Sequence, residues 1–233
     1  MTAEESVALI INGDPNGHSY AKRKTPLSFV SARLVHAIDK VRSLERSEII
    51  TAHFFCGLHD TYEESWECPS GVVNSLLAQL LTQYRNTKDI KIESPEGLKS
   101  HKIRAVFGYF ERIIKQLPEG VTVFCVIDSV STYVNLPEIE GDAKWLISNL
   151  LWLATTEPPE KATFKLLLTA PNSLRVRKSK LRGSEVLNVS ERPPRTGGFN
   201  DVQWDSAIGD KLERALKKMT GCWLGSFDFT LLS

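Results

Sequence analysis

Apolar residues fall into two alternating kinds of stretch along this chain. Short, nearly continuous runs occupy residues 6–12 (SVALIIN), 49–56 (IITAHFFC), 121–129 (VTVFCVIDS), 164–169 (FKLLLT) and 186–189. They predict strands, and the run 121–129 alternates too little for a strand with one wet face, so it reads as a central strand covered on both sides. Between them lie segments of helical period. Residues 26–41 place Leu27, Val30, Leu34, Ile38 and Val41 on one face, with Thr25 as N-cap before Pro26. Pro69 opens a second helix through Val72, Leu76, Leu77, Leu80 and Leu81. A third runs from Ile103 to Leu117 and is stopped by Pro118 and Gly120, a fourth spans 143–154, and a fifth 205–219.

Strand and helix alternate almost throughout, which argues for parallel βαβ units. The fold expected is α/β, a three-layer α/β/α sandwich on a mainly parallel five-stranded sheet. The paired Pro and Gly of residues 191–198 (ERPPRTGG) mark the boundary between a main domain, 1–198, and an extension, 199–233. The extension carries the last helix and an added edge strand at 223–232, packed on the main domain. There is no internal repeat or low-complexity linker.

Composition adds little to this outline. The chain has 233 residues, 42% hydrophobic and 24% charged, enough to bury a substantial core. A net charge of +1 supplies no bulk field toward nucleic acid or membrane. No apolar run reaches the length of a membrane span, and MTAEES lacks the basic and apolar regions of a signal peptide. Cys56, Cys68, Cys125 and Cys222 form no C-x-x-C pair and read as reduced thiols, so a cytoplasmic location is expected.

Candidate chemistry centres on the run 121–129. Ligands of open α/β sheets bind beyond the carboxyl ends of the strands, and Asp128 ends this one, where it is placed either to hold a hydrated Mg²⁺ or to cap the next turn. The first strand runs into Gly13-Asp14-Pro15-Asn16-Gly17-His18-Ser19, a Gly-bearing loop before a helix. The fourth strand ends in Thr169, followed by a polar loop with Arg175 and Arg177.

In element order over residues 6–189 the chain resembles the P-loop NTPases, in particular the NACHT-like signal-transduction ATPases (the STAND class) abundant in filamentous fungi. The first strand and its Gly loop, VTVFCVIDS as a Walker B strand, and FKLLLTAPNS carry the likeness. It implies ATP or GTP with Mg²⁺, phosphate contacts from Gly13, Gly17, His18, Ser19, Lys24, Thr25, Thr169 and Arg175, and metal at Asp128. The sequence departs from the working pattern at the decisive place. A P-loop reads G-x-x-x-x-G-K-[ST], with backbone N–H groups around the phosphates, Lys on the β- and γ-phosphates and Ser/Thr on Mg²⁺. Here GDPNGHS is one residue short between its glycines and has His18 for Lys. Lys22 or Lys24 with Thr25 offers a substitute pair, against the alternative of a solvated basic loop. After Asp128 comes Ser129 in place of a second acidic residue, and Glu138 and Glu140 read as surface charges on a loop.

Other chemistries find less support. His53, His59, Cys56 and Cys68 match no zinc spacing. Ser70-Gly71 and Ser129 lack G-x-S-x-G, and Cys125 lies inside an apolar strand. The expectation is a non-catalytic interaction or regulatory module with a decayed nucleotide site, needing no cofactor and taking an unknown protein partner. Two alternatives stand beside it. One is a Mg-dependent NTPase with an unorthodox phosphate loop. The other is a nucleic-acid binder using Lys22–Lys24 and the basic run 175–182, which lacks interleaved aromatics.

Overall fold

The computed structural model describes residues 6–13, 25–45, 48–59, 68–84, 102–155, 162–174, 184–189 and Arg214. The extension 199–233, apart from Arg214, lies outside the described residues, as does the proposed boundary at 191–198. Five parallel strands form one sheet: β1 (Val7–Asn12), β2 (Ile49–Phe55), β3 (Thr122–Asp128), β4 (Thr163–Ala170) and β5 (Ser184–Asn188), in the order β2-β3-β4-β1-β5. The helices are α1 (Pro26–Glu45), α2 (Pro69–Gln83), α3 (Ile103–Gln116), α4 (Ser131–Val134) and α5 (Glu140–Thr155). The expected α/β sandwich with a parallel five-stranded sheet is therefore present. Element ends differ from the periodicity by a few residues. Cys56 leaves the strand for a 3-10 turn, Cys56–Leu58. Glu140, read as a loop charge, instead opens α5 and pairs with Lys144 one turn on. The single turn of α4 is too short to leave a period.

Strand order and crossover handedness together set the layers. From β1 the chain crosses to the far edge at β2, then steps back through β3 to β4. Right-handed connections running in opposite directions must pass over opposite faces of the sheet. Accordingly α1 packs on one face through Leu27, Val30, Leu34, Val35 and Ile38, against Leu9, Ile11, Phe124, Val126 and Leu167. The other face carries α2, α3 and α5 over Ile10, Ala52, Val123, Cys125, Ile127, Leu166 and Leu168. Burial on both faces explains why β1 to β4 read as continuous apolar runs; β5 is only partly buried, with Val186 38% exposed. Gly120 ends the turn after α3 at φ +87°, in the left-handed region that favours glycine.

At the carboxyl end of the sheet the chain leaves β1 toward the α1 face and leaves β3 toward the opposite face. The ends of β1, β4 and β3 thus border the crevice that open α/β sheets offer to ligands. No helix among the described residues is long and apolar enough to cross a membrane.

Candidate functional site

Asp128 ends β3 on the α1 face and is buried, 1% exposed. The first turn of α1 is aimed at it. Thr25 caps that helix, its Oγ1 accepting from the Ser28 N–H at 3.2 Å while Ser28 Oγ accepts from the Thr25 N–H at 3.2 Å. This is a reciprocal capping box with Ser28 at the third helical position, and Pro26 opens the helix with no N–H to leave unpaired. The box aligns Ser28 so that its hydroxyl donates to Asp128 Oδ2 at 2.7 Å. One turn on, Ser31 Oγ lies 3.0 Å from Asp128 Oδ1 and 3.1 Å from the Leu27 carbonyl, so its single proton is shared between the two.

Two more hydroxyls close the cage from the sheet side. Thr169, at the end of β4, donates from Oγ1 to Asp128 Oδ1 at 2.6 Å, and Ser129 Oγ donates to Asp128 Oδ2 at 2.9 Å. Thr169 Oγ1 also accepts from the Ser129 N–H at 3.0 Å, and its carbonyl accepts from the Val130 N–H at 2.9 Å. Ser129 stands at φ +57°, left-handed backbone that costs a non-glycine residue about 1 kcal/mol or more. Its two hydrogen bonds to Thr169 and Asp128 offset that strain and hold the strand-to-helix corner. Cys56, fully buried, has its thiol pushed well up, first by burial and then by the nearby Asp128 carboxylate. The Cys56 thiol is therefore uncharged and inert.

A second polar network anchors the ends of the neighbouring strands. Asn12, 3% exposed at the end of β1, donates from Nδ2 to Asn188 Oδ1 of β5 at 3.1 Å and accepts at Oδ1 from the Leu174 N–H at 3.0 Å. The Gly13 N–H donates to the Ala170 carbonyl at 2.8 Å.

The residues named from sequence separate clearly. Asp128 and Thr169 meet directly, Thr25 reaches the cluster through Ser28, and Gly13 is held by backbone pairing to β4. Gly17, His18, Ser19, Lys22, Lys24, Arg175 and Arg177 lie outside the described residues. Ser28, Ser31 and Asn12 were missed. The serines stand three apart on the helix that follows the Gly loop, a spacing that puts both on one face, and this was the only signal available. His53 lies in β2 edge-on to Phe55, and burial lowers its pKa against a smaller opposing effect of Asp39. Among the described residues no group of three or more His, Cys, Asp or Glu is placed to hold a metal ion.

A phosphate-bound Mg²⁺ fits this arrangement poorly. In P-loop enzymes the metal is held by the loop Ser/Thr and the strand-end Asp, and the Lys immediately precedes that Ser/Thr. Ser28 and Ser31 are the α1 hydroxyls that reach Asp128, and the residues before them are Leu27 and Val30, both buried in the core under α1. A carboxylate offers about four acceptor positions. Hydroxyls of Ser28, Ser31, Ser129 and Thr169 already approach Asp128 at 2.6 to 3.0 Å.

No protein-family model and no curated protein matches this sequence. Solved structures of similar overall course include the Aeropyrum pernix ORC1 protein in complex with DNA, with 12% identity, a TM-score of 0.48 and coverage of 90% of this chain and 44% of that one. The Aeropyrum pernix ORC2 protein in its ADP form has 12% identity and a TM-score of 0.45 over 91% of this chain and 47% of that one. The same ORC2 protein in ADPNP-ADP complexes has 10% identity and a TM-score of 0.42 over 91% and 46%. This chain spans less than half the length of each. Likeness at that level carries no argument about activity.

Proposed function

We propose that this chain is a P-loop-like module whose nucleotide site has decayed and which works by interaction or regulation without catalysis. The observation that carries this reading is the cage around Asp128, in which four hydroxyls occupy the carboxylate where a metal would sit. The buried Leu27 and Val30, which precede the two α1 serines, support it further, since neither offers a phosphate charge or a hydrogen bond from its side chain. In this reading the strand-end Asp has become a clasp that pins α1 to the sheet. The narrower placement among NACHT-like STAND ATPases rests on element order and on the first strand with its Gly loop, VTVFCVIDS and FKLLLTAPNS, and is part of the same proposal, as are a cytoplasmic setting and a protein partner of unknown identity.

One observation favours a second reading, a Mg-dependent NTPase. Ser28 Oγ and Asp128 Oδ2, 2.7 Å apart, are the residue types that flank the metal in P-loop enzymes. Phosphate release from ATP and GTP separates the two readings. The decayed site gives no turnover above a mock preparation, and Mg-dependent turnover abolished by Asp128→Ala establishes the enzyme. The nucleic-acid reading depends on basic loops outside the described residues and gains no support from the described part.

A further inference from the structure

Among the described residues β2 is an edge strand of the sheet, and an edge strand presents a row of backbone groups ready to pair with another chain. Here the middle of that row, at Thr51 and His53, is occupied. Gln83 of α2 accepts from the Thr51 N–H at 2.9 Å and donates to the Thr51 carbonyl at 2.7 Å. Gln79 does the same for His53, accepting from its N–H at 3.0 Å and donating to its carbonyl at 2.8 Å. Each carboxamide pairs with both backbone groups of one residue, as a neighbouring strand would.

The fit follows from two periods. Outward-facing backbone groups recur every second strand residue, about 6.6 Å, and side chains four apart on a helix recur about every 6.0 Å. Because α2 returns antiparallel to β2, the later glutamine meets the earlier strand residue. Third groups orient both amides. Ser75 Oγ, one turn before Gln79, accepts from Gln79 Nε2 at 3.1 Å, which leaves Oε1 for the His53 N–H. Arg42, at the end of α1, donates to Gln83 Oε1 and is itself paired to Asp39 at 3.5 Å. Ser75, Gln79 and Gln83 thus form a polar stripe on a helix whose Val72, Val73, Leu76, Leu77 and Leu80 are core.

We propose that this stripe is an edge clasp that closes β2 to strand addition and keeps two copies of this chain from pairing edge to edge. Its purpose is distinct from that of the Asp128 cage, so the two proposals stand or fall separately. The test is Gln79→Leu/Gln83→Leu, which keeps helix propensity and bulk while removing the amides. Exchange of the Thr51 and His53 amide protons is expected to accelerate about tenfold or more relative to those of Ile50 and Ala52, which face β3. Light scattering at matched concentrations is expected to show more self-association than in the parent. If the double variant does not fold, Gln83→Met carries the test, with accelerated exchange at Thr51, unchanged exchange at His53 and increased association. Faster exchange without a rise in association, association with unchanged Thr51 and His53 amides, or uniform acceleration across β2 would overturn the proposal.

Discussion

At the carboxyl end of the sheet Asp128 is buried among hydroxyls from α1, β4 and the following turn, whereas toward the amino end of the same α1 face Lys165 is buried beside the ring of Phe124. The lysine is 2% exposed, with Nζ 5.9 Å from the ring centroid, and burial pulls its pKa down to about 8. Asp128 receives hydrogen bonds from four hydroxyls, while at Lys165 removal from water disfavours the charged form. The two positions differ in what burial does to a charge-bearing side chain and in how many elements serve it at the strand end. Helix capping, strand-end hydroxyls and a left-handed Ser129 all converge on Asp128, and such convergence belongs to a designed contact.

Asp128→Ala is expected to have the largest effect, a loss of about 3 kcal/mol in chemical denaturation, because it strands several buried hydroxyls. A loss within about 1 kcal/mol would show that the cage does not hold α1 to the sheet. Lys165 comes next, and its signature is pH dependence. Its folded pKa lies below its ordinary value of 10.5, so the unfolded chain binds more protons between about 8 and 10.5 and stability rises with pH across that window. Linkage caps that rise at about 3 kcal/mol. Lys165→Met should flatten it, and an unchanged pH profile would dissolve the contrast with Asp128.

Smaller effects test the parts of the cage. Ser129→Val is expected to cost about 2 kcal/mol, since a β-branched residue tolerates left-handed backbone poorly and loses the bond to Asp128. Ser129→Gly, which relieves the backbone while losing the same bond, should stay within about 1 kcal/mol of the parent. Equal losses for the two would show that backbone conformation at the corner does not matter. Thr25→Ala should cost about 1 kcal/mol through the cap alone.

The two regions also differ in how much of them could be read from the chain. Strands and helices were legible because a sheet covered on both faces writes continuous apolar runs, and α1 writes Leu27, Val30, Leu34 and Ile38 at helical spacing. Asp128 and Thr169 were legible as strand-end polar residues. Ser28 and Ser31 were not, because they meet Asp128 across 100 and 97 residues, and serines on a helix read as solvent-facing until the partner strand is known. Nothing in the local pattern singled out Lys165, Gln79 or Gln83. In each case the deciding contact lies between elements distant in sequence, where local period carries no information.

The most direct measurement of the central claim is calorimetric titration of the chain with ATP and with GTP, at millimolar nucleotide, with and without Mg²⁺. A carboxylate caged by four hydroxyls beside Leu27 should give no Mg-dependent binding heat. Saturable Mg-dependent binding that Asp128→Asn removes while the protein stays folded would contradict it, and would make the cage a metal site at rest.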